Sequence, residues 1–209
     1  MILEKRLQMI VNEFFFKLGN NRVLVSVEKT ADTKIIAGAR GMKLLNNPIG
    51  KIYVNGANVD ARKLSDDELR FVLAHEVVHI DQNHLPIAIL FELPEELLDA
   101  WGKNHPVASA ASRLWDLINL WRYKQGNLPP KAVITKQQEL QADVWAVFLS
   151  NNKTSAITCL KKLVNGDLSQ FSHTWEALDI ELPIMTMCER IDALSQTISF
   201  YESQGYRFA

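Results

Sequence analysis

Cysteine is scarce in this chain. Cys159 and Cys188 are the two thiols in 209 residues, too few for a disulfide scaffold, and with no C-x-x-C spacing they are expected to be free. Neither sign of charge is in surplus: 23 Lys and Arg against 24 Asp and Glu leave a net −1, so nothing draws the whole chain to nucleic acid or an anionic membrane. Long apolar runs are missing as well. The most apolar later stretch, residues 85–93, is broken by Pro86 and Glu92 and falls far short of the roughly 20 residues a membrane span needs. The first 18 residues carry Glu4, Lys5, Arg6, Glu13 and Lys17, unlike a secretory signal. No repeat, low-complexity tract or linker divides the chain, so a single domain over residues 1–209 is expected, soluble and cytoplasmic.

What is present is a folded composition, 47% apolar and 22% charged. Leu3, Leu7, Ile10, Phe14 and Leu18 recur at helical spacing over residues 1–18. Strands are predicted at 23–27, about 34–37 and 51–54, with an irregular stretch around Gly38, Gly41 and Asn46-Asn47-Pro48. Ser65 and Glu68 form a capping box that opens a helix running to about Asn83. Further helices are predicted at 95–103, 106–125, 136–151, 154–164 and 187–204, with loops near 84–86, 126–130 and 165–183. The five tryptophans fall mostly on these helices, where core packing is their usual use. His105 reads as a capping or surface residue, and Glu95 and Glu96 suit a helix N-terminus.

The chemistry lies in His75-Glu76-Val77-Val78-His79, an H-E-x-x-H inside the helix that Ser65 opens. Residues four apart share a helical face, so both imidazoles can bind one metal ion while Glu76 reaches a metal-associated water as general base. A third ligand is needed. The extended motif H-E-x-x-H-x-x-G-x-x-H fails, because positions 82 and 85 are Gln82 and Leu85. The better candidate is Glu139 in Glu139-Leu140-Gln141-Ala142-Asp143. There Asp143, four residues on, can hydrogen-bond a ligand imidazole, and Ala142 lets the helix approach its neighbour. A solvated acidic pair is the bland alternative for these two residues.

H-E-x-x-H followed by E-x-x-A-D resembles the gluzincin peptidases of the HtpX and CAAX-prenyl-protease family. Residues 51–55 and 64–69 resemble that family's strand and "D-E-L" lead-in to the metal helix, and His84 sits where many members carry a histidine. Leu182-Pro183 and Glu189-Arg190-Ile191 resemble its "H-P-x-x-x-x-R-I" tail, with two departures. The histidine is replaced by Leu182, and Arg190 comes two residues late. His173 stands nine residues before Leu182. Family members often carry transmembrane helices, which this chain lacks.

The resemblance implies an α+β, zincin-like single domain, mostly helical with a small β-sheet whose edge strand lies beside the metal helix. It further implies one Zn2+ held by His75, His79 and Glu139, with a fourth position left to water and Asp143 bonded to a ligand. Glu76 would serve as base and then as acid, and His173 or Arg190 as donor to the oxyanion. The expected edge strand, Lys51, Ile52, Tyr53 and Val54, would pair with an extended peptide or protein substrate. The expected activity is that of a zinc-dependent endopeptidase. Two other readings stand beside it: a metal-containing peptide- or protein-binding module without turnover, and a peptidase held latent by residues 165–183 or a terminus.

Overall fold

A computed structural model describes residues 2–32, 35–44, 47–84, 130–164, 170–175 and 180–208. The helices expected at 95–103 and 106–125, His105, Glu95, Glu96, Trp101, Trp115 and Trp121 lie outside these residues.

Helix α1 (Ile2–Lys17) buries Leu7, Ile10, Val11, Phe14 and Phe15, the three- and four-residue steps of one helical face. Gly19, at φ 81°, and Asn20 close it with bonds back to Phe16 O and Phe15 O. Three strands follow: β1 (Leu24–Lys29), β2 (Ala37–Leu44) and β3 (Asn47–Val54). They form one mixed sheet in the order β1-β3-β2, with β1 parallel and β2 antiparallel to β3. Ile52 and Val54 of β3 and Val25 of β1 are buried.

This order corrects one expectation. Lys51, Ile52, Tyr53 and Val54 lie in the central strand, hydrogen-bonded on both sides, so their backbone is closed to a further strand. The edge beside helix α3 (Asp66–Asp81) is β2, in the segment whose glycines suggest an irregular stretch. Gly41 lies directly across from Gly50, and a Cβ on either would collide with the opposing backbone. Those glycines therefore allow the two strands to approach rather than breaking them.

Short helix α2 (Gly56–Ala61) leads to α3 (Asp66–Asp81), whose capping box is formed as expected. Lys162 reinforces it with Nζ 2.6 Å from Glu68 Oε2 and 2.8 Å from the carbonyl of Lys63. Helix α3 is buried on nearly all sides, between the sheet and helices α1, α4 (Pro130–Ser150) and α5 (Lys153–Val164). Ala142 and Ala146, both fully buried, let α4 close on it. Where the sequence suggests a loop over 165–183, a hairpin of β4 (Gln170–Trp175) and β5 (Ile180–Thr186) precedes the last helix, α6 (Met187–Ser203). Strand β5 packs against α4 and α6. Among the described residues, no helix is long and apolar enough to cross a membrane. Cys159 is buried and Cys188 exposed, and both are free thiols. Trp145 is 44% exposed rather than core.

Candidate metal centre

Helix α3 carries His75, Glu76 and His79 into the interior, and α4 brings Glu139 and Asp143 to meet them. His75 Nε2 and His79 Nε2 stand 2.9 Å apart. Glu139 Oε2 is 3.2 Å from the first and Glu139 Oε1 is 3.4 Å from the second. Ligand atoms about 2.0–2.1 Å from a tetrahedral zinc ion stand about 3.3 Å from one another, so these three side chains are spaced for a single ion. Glu139 Oε2 is also buried without an aligned hydrogen bond among the described residues. His75 Nε2 and Arg190 Nη1 face it at 3.2 and 3.5 Å without hydrogen-bond alignment, and a carboxylate oxygen has lone pairs enough to serve a metal ion as well. Two imidazoles and one carboxylate therefore fit zinc in number, type and spacing.

A layer of partners holds these side chains from behind. His75 Nδ1 makes an ionic contact of 2.9 Å with Asp143 Oδ1, although Nδ1 is not in line for a well-formed hydrogen bond. Asp143 is gripped by Arg190 of α6 through Nε at 2.8 Å and Nη2 at 2.5 Å, while Arg190 Nη1 reaches to 3.5 Å from Glu139 Oε2. His79 Nδ1 is 3.0 Å from His84 Nδ1, and His84 Nε2 is 3.3 Å from Gln141 Oε1. Gln138 Nε2 donates to the His84 carbonyl at 3.0 Å. No motif in the sequence marks Gln138 and Gln141, since glutamines around a helical glutamate are ordinary. Their one signal was a position within a turn of Glu139.

Charge in the site follows from burial and these contacts. Burial works to lower the pKa of His75, but Asp143 and Glu139 outweigh it and raise it to about 10. Burial, with the neighbouring charge on His75, pushes His79 down to about 3. Glu139 and Asp143 stay below the ordinary carboxylate range despite burial, held there chiefly by His75 and by Arg190 respectively. Arg190 and a protonated His75 thus share the charge of the two carboxylates, and metal binding at His75 Nε2 would release the proton there. Glu76 differs: burial lifts its carboxyl to about 7.

The Glu76 carboxylate accepts the backbone N–H of Ala39 in β2. Lys43, on the same strand, donates its N–H to Asn83 Oδ1 at 2.6 Å and accepts from Asn83 Nδ2 at 3.2 Å. By the alternation of an antiparallel ladder, Ala39, Gly41 and Lys43 turn their backbone groups outward from β3, toward α3. His173 lies in β4 directly across from Leu182 in β5, so the register sets it beside the position where the family tail has its histidine.

No curated protein and no solved structure matches the chain. The family model for peptidase family M48 does, over residues 3–198, and with nearly its whole length matched the chain belongs to that metallopeptidase family.

Proposed function

We propose that the protein is a zinc-dependent endopeptidase. The observation that carries this reading is the convergence of His75, His79 and Glu139 within 4.8 Å of one another, beside the buried carboxyl of Glu76. Zinc bound there would supply Lewis acidity, which acidifies a water and polarises the scissile carbonyl. Glu76 takes a proton from the attacking water and passes it to the leaving amine. Asp143 orients His75, and Arg190 holds Asp143 and Glu139. With its nitrogens turned to those carboxylates, Arg190 is assigned to positioning, which leaves His173 as the candidate oxyanion donor.

The substrate reading moves with the corrected strand order. An extended peptide would meet the outward backbone of β2 at Gly41, between Ala39, whose N–H goes to Glu76, and Lys43, whose N–H and C=O go to Asn83, rather than pair along Lys51, Ile52, Tyr53 and Val54. Main-chain pairing of this kind carries little sequence preference by itself.

Unfolded casein incubated with the zinc-loaded protein tests the assignment. The wild type is expected to cut it, while Glu76→Gln is expected to keep its zinc and lose cleavage. Cleavage at the wild-type rate by Glu76→Gln would remove Glu76 as the base.

A further inference from the structure

The two ligand imidazoles are held from behind by different chemistry. His75 leans on a carboxylate, Asp143, whereas His79 leans on another imidazole, that of His84. His84 is 3% exposed, placed just past α3 by Asn83 at φ 56°. The His79 and His84 rings meet edge to face, with centroids 4.9 Å apart and planes at 79°.

Counting protons leaves one arrangement. A neutral imidazole has one N–H donor and one bare acceptor nitrogen. His79 Nε2, which faces His75 and Glu139, must be bare to bind a metal, so the His79 proton sits on Nδ1. That N–H points at His84 Nδ1, which must therefore accept. The His84 proton is then on Nε2, where Gln141 Oε1 accepts it. Gln138 fastens the His84 backbone to the same helix.

We propose that His84 is a positioning residue for the metal centre, accepting from His79 Nδ1–H and so fixing the tautomer and ring orientation of that ligand. Its chain of contacts ends on Gln141 of α4. One helix thus delivers Glu139 as a ligand and steadies both ligand imidazoles, one through Asp143 and the other through His84. The proposal rests on the zinc reading above.

Competition for zinc against a chromophoric chelator tests it on the full chain, without any substrate. His84→Phe keeps the ring volume and loses the acceptor; zinc affinity is expected to fall about 10–100-fold, the usual effect of removing such a partner. His84→Asn places an amide oxygen near the lost nitrogen and is expected to recover most of that loss. Binding by His84→Phe within threefold of wild type, or His84→Asn as weak as His84→Phe, would overturn the proposal. Thermal unfolding of the zinc-free variants shows whether they fold. Should His84→Phe fail to fold, two measurements remain. Gln141→Met, at an exposed position, is expected to weaken zinc binding in the same direction, and unchanged affinity counts against the chain of contacts. Histidine nitrogen chemical shifts of the zinc-loaded wild type are expected to show His84 with its proton on Nε2; a proton on Nδ1 contradicts the proposal. A wild type that binds no zinc would overturn the zinc reading itself, and this inference with it.

Discussion

Arg190 and Asp143 form a two-pronged ion pair in the interior, Nε to Oδ2 at 2.8 Å and Nη2 to Oδ1 at 2.5 Å, with the Asp143 side chain wholly shut off from solvent. The pair ties α6 to α4, and through Asp143 it fixes the orientation of His75. Arg190→Ala would strand Asp143 as a buried charge without its main partner. Breaking such a pair from one side costs about 3–5 kcal/mol. Urea unfolding of the zinc-free chain is expected to show a loss of that order, and a loss below about 1 kcal/mol would contradict the role given to the pair.

The start of α3 should be sensitive to acid. Burial works to raise the pKa of Glu68, yet Lys162 and the two groups of Ser65 hold it below 4.5. A carboxylate with a depressed folded pKa stabilises the fold above its unfolded value, and that contribution is lost as pH falls through the folded one. The stability gap between wild type and Glu68→Gln is therefore expected to be constant above about pH 5.5 and to narrow below 4.5. Urea midpoints between pH 3 and 7 measure it, and a gap that widens on acidification would contradict the assignment.

Gly41 and Gly50 face each other across β2 and β3 with no room for a Cβ on either. Gly41→Ala and Gly50→Ala are each expected to destabilise by about 1–3 kcal/mol or more, since the obstruction is backbone that cannot swing aside. Thermal unfolding reads this directly. Alanine tolerated at both positions would mean the strands do not approach as described.

Lys51 lies in the central strand, its Nζ 2.8 Å from Glu28 on β1, away from the β2 edge. Lys51→Ala is expected to leave kcat/KM on a casein-derived peptide within about threefold of wild type, because an exposed ion pair of this kind contributes little. A large rise in KM would return substrate binding to β3.

Features that depend on local period were legible in the sequence. The four-residue spacings of His75 with His79 and of Glu139 with Asp143 place each pair on one helical face wherever the helices lie, and Ser65 with Glu68 caps a helix without help from the rest of the fold. Strand order was not legible, because β3 reaches the middle of the sheet only by pairing with both β1 and β2, and nothing in Lys51 to Val54 encodes two neighbours. Strand β2 was missed for a related reason: Gly38 and Gly41 read as breakers until Gly50 is seen opposite Gly41. The support given to His79 by His84 and Gln141 was hidden too, since it depends on α4 closing against α3.

The central claim is that two imidazoles on one helix and a carboxylate on another hold a single cation. Zinc content of the purified protein, measured by atomic emission beside Glu139→Ala, tests it most directly. The wild type is expected to carry one zinc per chain, and Glu139→Ala, still folded, to carry far less after the same dialysis. Equal zinc in both proteins would show that Glu139 is not a ligand and would contradict the metal centre described here.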